Sequence, residues 1–305
     1  MTTALRIEHL SKIYKNNLIA LDAISLEVKK GDFFGLIGPN GAGKSTVIGI
    51  TTGLVNRTSG KVYVGGYDID SHPQEAKALV GLVPQEFNFN VFEKVIDILT
   101  SQAGYYGLKR RLSLERSEYY LKKLGLWEKR DQAARTLSGG MKRRLMIARA
   151  LVHEPEILIL DEPTAGVDIE LRRSMWTFLE EINSKGITII LTTHYLEEAE
   201  QLCKDIAIIS RGAIIENTSK KDLLSKLDVD TFVLDLANPL LQEPVFNNFE
   251  VKKIDSNSIE VKVRRNVGVS ALFKCLAEQG IEVVSLRNKT NRLEELFVSL
   301  TSNEG

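Results

Sequence analysis

The stretch that decides the fold of this chain is a glycine-rich loop, which reads Gly38-Pro39-Asn40-Gly41-Ala42-Gly43-Lys44-Ser45-Thr46. A strand-like run over 32–37 precedes it, and a segment over 47–54 that is able to continue as a helix follows it. A strand, a loop of the form G-x-x-x-x-G-K-S and a helix in this order predict a phosphate-binding P-loop.

The residue types of this loop suit phosphate chemistry. Glycine lets the backbone wrap closely, so that successive N–H groups point at one anion, and the helix start adds the positive end of its dipole. In such a loop Lys44 reaches the β- and γ-phosphates of a nucleotide, and the Ser45 hydroxyl binds Mg²⁺. We therefore expect a nucleotide site here.

Composition and charge argue against several other classes of protein. The chain has 305 residues, enough for one large domain and a smaller one, and its 43% hydrophobic and 26% charged residues are ordinary for a globular protein. Lys+Arg and Asp+Glu number 40 each, so no overall field favours nucleic acid or an anionic membrane surface. No apolar run approaches the roughly 18 residues of a membrane helix. We expect no transmembrane segment and no nucleic-acid partner.

Short apolar runs alternate with helical patterns along the chain. Strand-like runs lie over 61–64, 81–84, 157–160, 187–192 and 206–209, and a charged helical pattern covers about 93–135. This alternation predicts a mostly parallel sheet that is covered on both faces. Near residue 228 the order restarts, with strand-like runs over 231–236, 258–263 and 281–286 and a helix over 269–279. We predict a large α/β domain over 1–228 and a small α/β domain over 229–305.

Two acidic residues follow the apolar run over 157–160. A buried parallel strand delivers its last residues to the carboxyl edge of the sheet, where ligands bind. At that edge Asp161 is expected to hold Mg²⁺, and Glu162 to polarise the attacking water or take its proton. Alone, the pattern is equally typical of a strand that ends at a polar turn, since Pro163 follows. The P-loop upstream favours the functional interpretation.

A second helix start is suited to an anion. Ser138 is a good N-cap for the helix over 142–152, and Gly139 and Gly140 expose its first N–H groups. Plain capping would explain these residues in isolation. One nucleotide needs only one P-loop, however, so a second phosphate-binding helix start requires an explanation.

Several other polar residues are interpreted as surface. The basic cluster Lys142-Arg143-Arg144 is expected to be a solvated helix face, because the chain is balanced in charge. The histidines at 9, 72 and 153 have no partners at ligand spacing and are expected at the surface.

With these motifs in this order, the chain resembles an ABC-type ATPase subunit over residues 4 to about 228. The resemblance places Lys44 in the Walker A loop, Asp161 and Glu162 in Walker B, and Ser138 to Met141 in the signature motif. It adds the glutamine of the Q-loop, the D-loop aspartate, the switch histidine and an aromatic that stacks on adenine, which fall at Gln85, Asp168, His194 and Tyr14.

The resemblance implies a P-loop NTPase fold and a set of roles. The fold has a mixed β-sheet core, an antiparallel β subdomain and a helical subdomain at about 86–137, with the small C-terminal α/β domain added. Catalysis falls to Glu162, His194, Lys44 and Gln85, and Mg²⁺ binding to Ser45, Gln85 and Asp161. The nucleotide is expected to contact Tyr14, each residue from Gly38 to Thr46, Ser138, Gly139, Gly140 and Asp168.

The chain resembles the ATP-binding subunits of ABC-2-type exporters, and within that group the YadG-like subunits. The resemblance lies in three stretches, which are GPNGAGKST, LSGGMKRR and the terminal run over 291–297. This resemblance implies ATP and Mg as cofactors, with each ATP clamped between the P-loop of one subunit and the signature motif of another. The implied partners are a second copy of the ATPase subunit and a separate ABC-2-type transmembrane permease. The implied location is the cytoplasmic face of the inner membrane, through the permease.

Two other functions stay open at this stage. Relatives that repair DNA interrupt the cassette with a long coiled coil, and relatives that act on ribosomes carry two cassettes, whereas this chain has one compact set of motifs. A nucleotide switch with negligible turnover would lack Glu162 or His194, and both are present. The transport ATPase therefore leads over a soluble ABC ATPase that acts on another macromolecule.

Overall fold

The computed structural model describes residues 2–164, 166–227, 229–240, 244, 246, 249–264, 266–289 and 292–302, with the backbone alone over 298–302. The chain divides into two compact units, Met1–Ser219 and Lys220–Gly305. The boundary predicted at 228 lies outside the described residues. The predicted extents of the ATPase domain and of the small C-terminal domain stay a prediction. The short helix Lys220–Ser225 belongs to the second unit.

The first unit contains strands that belong to two sheets. They are β1 (Thr3–Ile13), β2 (Ile19–Lys29), β3 (Phe33–Ile37), β4 (Ser59–Val64), β5 (Tyr67–Asp68), β6 (Val80–Val83), β7 (Ile157–Asp161), β8 (Thr188–Thr193), β9 (Asp205–Ser210) and β10 (Ala213–Ser219). The helices are α1 (Lys44–Thr51), α2 (Pro73–Ala78), α3 (Val95–Tyr105), α4 (Arg110–Lys123), α5 (Gly139–Leu151), α6 (Ile169–Ser184) and α7 (Leu196–Leu202).

The larger sheet has the order β10-β9-β3-β8-β7-β6, and all its neighbours are parallel except β10 and β9. Strands β3, β7 and β8 are buried along their whole length, as the continuous apolar runs predict. In register, Ile37 pairs with Thr193, and Thr192 pairs with Asp161. The carboxyl ends of these three strands therefore meet at one edge, and this edge carries the candidate site.

The smaller sheet is antiparallel, in the order β2-β1-β4-β5. Its inward residues, such as Leu5, Ile7 and Val64, share one hydrophobic core with Val47 and Ile50 of α1. The mixed α/β architecture with an antiparallel subdomain is confirmed.

The helical pattern over 93–135 is broken into separate helices. Helix α3 ends at Tyr105 and α4 ends at Lys123, and each is followed within two residues by a glycine with positive φ, 77° at Gly107 and 66° at Gly125. Glycine adopts this left-handed conformation without the steric cost of a Cβ atom, so it ends helices. Two 3-10 turns, Trp127–Lys129 and Ala134–Thr136, complete the stretch.

The second unit contains α8 (Lys220–Ser225), β11 (Val229–Leu236), β12 (Glu250–Lys253), β13 (Ser258–Arg264), α9 (Val269–Glu278), β14 (Val283–Asn288) and α10 (Arg292–Ser302). Its sheet has the order β12-β13-β11-β14 with antiparallel pairs throughout. Leu272 and Leu276 of α9 pack on Leu234, Ile259 and Val261 of that sheet. Strand β12 carries no clear sequence signal and was not predicted.

In helix α10 the residues Leu293, Leu296, Phe297 and Leu300 are spaced at i, i+3, i+4 and i+7, which predicts one apolar stripe. Leu293 and Leu296 are buried within the single chain, and Phe297 is half-buried. The side chain of Leu300 lies outside the described residues. Within the described part of the chain, every helix is too short or too polar to cross a bilayer.

Candidate active site

The loop between β3 and α1 needs glycine at two positions for lack of space. A Cβ atom at Gly38 would lie 2.2 Å from the carbonyl oxygen of Ile209, and one at Gly43 would lie 2.7 Å from that of Ala20. Gly43 also has φ of 113°, a backbone conformation that residues with a side chain rarely adopt. The loop is therefore packed tightly against neighbouring backbone, and this packing fixes its conformation.

The side chain of Lys44 lies under this loop. Its ammonium group donates hydrogen bonds to the carbonyl oxygens of Gly38 at 2.7 Å and Pro39 at 3.1 Å, and the residue is only 5% exposed. Burial lowers the pKa of Lys44, while the nearby carboxylates of Glu162 and Asp161 act in the opposite direction. The ammonium group therefore lies within electrostatic reach of both carboxylates at the sheet edge.

Asp161 ends β7, and Glu162 follows it with φ of 50°. The hydroxyl of Thr192 on β8 donates to Asp161 Oδ1 at 2.5 Å, and the Glu162 N–H donates to the Thr192 carbonyl oxygen at 2.9 Å. Left-handed backbone is unusual for a residue other than glycine and is often found at functional sites. One neighbouring strand thus orients both acidic residues.

Glu162 joins two loops that are distant in sequence. Gln85, which follows β6, donates from Nε2 to Glu162 Oε2 at 3.1 Å, and His194, which follows β8, lies with Nδ1 at 2.9 Å from Glu162 Oε1. The carboxylate is 7% exposed, so it is shielded from bulk water and held on both oxygens. Such a carboxylate is suited to orient a water molecule and accept its proton.

Ser138 and Asp168, which the resemblance assigns to the signature motif and the D-loop, each cap the start of a helix with their side chains. The Ser138 hydroxyl accepts a hydrogen bond from the Met141 N–H at 3.3 Å at the start of α5, and Asp168 Oδ1 accepts from the Leu171 N–H at 2.9 Å at the start of α6. A Cβ atom at Gly140 would lie 1.9 Å from Leu171 Cδ2, so the two helix starts pack side by side. Capping is the role that the structure shows, and nucleotide contact stays a prediction.

Tyr14 lies between β1 and β2, near the first turn of α1. Its hydroxyl is 3.5 Å from the Thr46 hydroxyl, and the Lys12 ammonium group lies 4.8 Å from its ring centroid. The ring is partly exposed beside the loop. This position is compatible with stacking on a base, which stays a prediction.

The profile of the ABC transporter family matches residues 21–165 of the chain. The linearmycin resistance ATP-binding protein LnrL of Bacillus subtilis is 37% identical, over 97% of this chain and 98% of its own length. The Nod factor export ATP-binding protein I of Cupriavidus metallidurans is 34% identical, over 100% of this chain and 99% of its own length. This chain belongs to the ABC transporter ATP-binding proteins. It is an ATP-binding subunit and an ATPase, as the sequence motifs predict.

A solved structure supports the fold of the ATPase part. An ATP-binding cassette in a dimeric post-hydrolysis state, bound to ADP and Pi, superimposes with a TM-score of 0.65 at 25% identity. The match covers 70% of this chain and 98% of the solved one. Nucleotide binding is therefore established at the level of the family, and the individual residue roles stay predictions.

The interpretation of the basic cluster in α5 as a solvated helix face was wrong for two of its members. Arg143 is buried and donates from its two terminal nitrogens to the carbonyl oxygens of Pro84 and Gln85, both at 3.0 Å. Arg144 donates to the carbonyl oxygen of Leu124 at 2.7 Å. Carbonyl partners leave no mark on a sequence pattern, so no motif signals these contacts.

The expectation that His153 lies at the surface was also wrong. Its ring stacks on Tyr106 with centroids 3.6 Å apart, and Nε2 lies 3.2 Å from the Val80 carbonyl oxygen. Burial lowers the pKa of His153 to about 4, so the ring is neutral at physiological pH. The histidines at 9 and 72 are exposed, as predicted.

A buried acid that sequence analysis missed joins segments on either side of the site. Glu198 on α7 accepts hydrogen bonds from Thr164 at 3.0 Å and from the indole N–H of Trp176 at 3.3 Å. Burial raises the pKa of Glu198, opposed by these bonds, a bond from Thr193 and the charge of Arg172. Thr164 lies two residues after Glu162 and Thr193 directly before His194, so Glu198 contacts the segments that carry both of these residues.

Proposed function

We propose that this chain is the ATP-hydrolysing subunit of an ABC-2-type exporter and that it drives a separate transmembrane permease. The observation that carries the proposal is Glu162, a buried carboxylate held by Gln85 and His194 within electrostatic reach of Lys44. Full-length similarity to proteins named for linearmycin resistance and Nod factor export supports the direction of transport. The permease would hold the chain at the cytoplasmic face of the membrane.

The loop residues would bind the phosphates of ATP. Backbone N–H groups from Gly38 to Thr46 and the start of α1 would surround the anion. Lys44 would exchange its bonds to the two loop carbonyls for bonds to β- and γ-phosphate oxygens, and Tyr14 would stack on adenine. The loop carbonyls are neutral acceptors, whereas the phosphate oxygens carry negative charge, so the attraction between opposite charges favours that exchange.

The residues predicted to hold Mg²⁺ fit the ion. The Ser45 hydroxyl, an Asp161 carboxylate oxygen and the Gln85 amide oxygen are hard donors, which Mg²⁺ prefers. Because Gln85 Nε2 donates to Glu162, the amide oxygen is the atom that remains to bind a cation. When bound, Mg²⁺ would neutralise charge on the phosphate oxygens. Thr192 fixes the orientation of the Asp161 carboxylate for this purpose.

Hydrolysis would take place beside Glu162. Its carboxylate would orient the attacking water and accept its proton, while His194 would contact the γ-phosphate. Gln85 and His194 hold one carboxylate oxygen each, so they fix the direction from which Glu162 reaches the water.

Ser138, Gly139, Gly140 and Asp168 would contact the nucleotide of a partner subunit. Two copies related by a two-fold axis would then hold up to two ATP molecules, each between a P-loop and the other copy's signature motif. The dimeric cassette with ADP and Pi supports this arrangement by its similarity to the present fold. ATP would hold the dimer closed, and hydrolysis would release it.

Mixing two inactive variants tests the shared sites. Ser138→Arg and Lys44→Ala should each lack ATPase activity, since both sites of either homodimer carry a lesion. A mixed dimer would have one site with both lesions and one site with neither, so equal mixing should restore about a quarter of wild-type activity. The measurement is phosphate release against mixing ratio, with each variant mixed with itself as control. No recovery at any ratio, or full activity of Ser138→Arg alone, contradicts shared sites.

Removing the second unit should separate ATP binding from transport. The proposed phosphate-binding residues all lie before Ser219, so a chain ending there should bind a fluorescent ATP analogue as tightly as the full chain. Transport by vesicles containing the permease should be lost. Failure of a folded truncated chain to bind ATP would contradict the placement of the site, and normal transport would contradict a role for the second unit.

The permease partner has a direct test. A tagged chain should be recovered from detergent-solubilised membranes together with a polypeptide that contains transmembrane helices. Recovery from the soluble fraction alone, or with a ribosomal or nucleic-acid partner, would instead favour the soluble ABC ATPase.

A further inference from the structure

Arg143 forms a two-point contact with the loop that carries Gln85. Its terminal nitrogens Nη1 and Nη2 donate to two consecutive carbonyl oxygens, those of Pro84 and Gln85, each at 3.0 Å. The guanidinium carbon lies 5.2 Å from the ring centroid of Phe87, two residues further along the same loop. The planar guanidinium therefore binds the peptide groups before and after Gln85, which restricts the rotation of the Gln85 backbone.

This contact continues to the candidate catalytic carboxylate. The side chain of Gln85 donates to one oxygen of Glu162, whose other oxygen meets His194. Arg143 itself lies on α5, five residues after Ser138. A continuous series of contacts thus runs from α5, whose N-cap is Ser138, through Arg143 and Gln85 to Glu162.

The burial of Arg143 has an electrostatic cost. The residue is 5% exposed, and its Nε is buried with no hydrogen-bond partner among the described residues. Burial lowers the pKa of Arg143, while the nearby carboxylates of Asp161 and Glu162 act in the opposite direction. A neutral apolar side chain would fill such a position without that cost. The charge and the planar shape of the Arg143 guanidinium are therefore best explained by the two carbonyl oxygens that it binds.

We propose that Arg143 is a positioning residue for ATP hydrolysis, which fixes the backbone of Gln85 so that its amide meets Glu162. Through the same contact, a movement of α5 is passed to Gln85. The second statement rests on the proposed function, because there Ser138 at the start of α5 touches the nucleotide of the partner subunit. Arg143 would then connect the signature motif of one ATP site with the catalytic carboxylate of the other.

The test compares full-length variants at Arg143 with a matched control on the same helix. Arg143→Gln removes the charge and the fork, and Arg143→Lys keeps the charge but has no planar fork to reach both carbonyls together. Arg144→Gln is the control, since Arg144 is the next residue and also donates to a carbonyl, that of Leu124, away from the Gln85 loop. Each variant is measured for kcat, KM and affinity for a fluorescent ATP analogue.

The expected loss is in kcat rather than in binding. Arg143→Gln should lower kcat by about 10- to 100-fold, the range for misplacing a catalytic group by about an ångström, and leave KM and analogue affinity within about threefold. Arg143→Lys should recover part of kcat. Arg144→Gln should stay near wild type. An equal loss in Arg144→Gln, or a loss of affinity that matches the loss of kcat, would overturn the proposal.

A double-variant cycle separates positioning from general support. If Arg143 acts through Gln85, then Gln85→Ala with Arg143→Gln should have the same kcat as Gln85→Ala alone, whereas independent effects would multiply. Multiplication overturns the proposal. If Arg143→Gln does not fold, as judged by thermal unfolding, the same cycle with Arg143→Lys decides.

The failure of this inference can be told apart from failure of the proposed function. If Gln85→Ala and Glu162→Gln both keep wild-type turnover, the proposed active site is wrong and this inference falls with it. If both lose turnover while Arg143→Gln keeps it, the active site stands and only the positioning role is wrong. For the link to α5, Arg143→Gln should also lower the Hill coefficient for ATP toward 1, and an unchanged coefficient above 1 overturns that part.

Discussion

Glu162→Gln should bind ATP as wild type does and hydrolyse it about 100- to 10,000-fold more slowly, the range expected for losing a general base. The amide has the shape of the carboxylate and preserves the packing of this 7% exposed side chain. It loses the negative charge that would orient water, and it replaces one acceptor by a donor toward Gln85 or His194. Single-turnover phosphate release measures the rate, and titration with a fluorescent ATP analogue measures binding. The variant should also accumulate as an ATP-bound dimer in size-exclusion chromatography.

Glu156→Gln is the matched control for this experiment. Glu156 directly precedes β7, at the end of the strand opposite Glu162, and forms a surface ion pair with Lys30 at 2.9 Å. An exposed pair of this kind contributes little to stability, so turnover should not change. Wild-type turnover in Glu162→Gln would show that another group activates water, and His194 would be the next residue to replace.

Lys44→Ala should abolish productive ATP binding. The change removes the cation that the loop holds beside the predicted phosphate position, where it also offsets the charges of Asp161 and Glu162. Without it, phosphate would face the two carboxylates without the cation that the loop supplies. The affinity for a fluorescent ATP analogue should fall below detection at concentrations that saturate wild type, and turnover should be lost.

Lys30→Ala provides the control. Lys30 precedes β3 and forms an exposed ion pair, whereas Lys44 follows β3 and is buried under the loop. Thermal unfolding without nucleotide shows whether Lys44→Ala has lost its loop packing rather than its affinity. Undiminished affinity together with normal turnover in a folded Lys44→Ala would remove the phosphate-binding role of this residue.

Much of this architecture could be predicted because it depends on local patterns. The loop has glycine at positions 38 and 43, where a Cβ atom would clash with neighbouring backbone, and Lys44 follows at the start of α1. The runs that became β3, β7 and β8 are apolar throughout because both faces of the sheet are covered. Parallel strands then bring their carboxyl ends to one edge, so Asp161 and Glu162 are expected at the edge of the sheet where ligands bind. The family and the fold predicted in this way are confirmed, and the residue roles await the experiments.

Other features depend on contacts that a pattern does not contain. Arg143 reads as part of a charged helix face, yet it is buried because two backbone carbonyls from a distant loop accept its hydrogen bonds. The sequence suggests that His153 is a lone surface histidine, yet its ring stacks on Tyr106 beside the Val80 carbonyl oxygen, and burial lowers its pKa to about 4. Backbone carbonyls are present at every residue, so sequence does not mark which one will be a partner.

The sequence by itself determined the glycine-rich loop, the acidic strand end and the alternation of strands and helices around them, since each follows from spacing and periodicity within a short segment. Only the tertiary structure decided which side chains meet at Glu162, how α5 is fastened to the Gln85 loop, and that β11 to β14 pair in antiparallel fashion. These depend on pairing between segments far apart in the chain. Such pairing is selected by the packing and hydrogen bonding of the whole fold, not by the preference of any one segment.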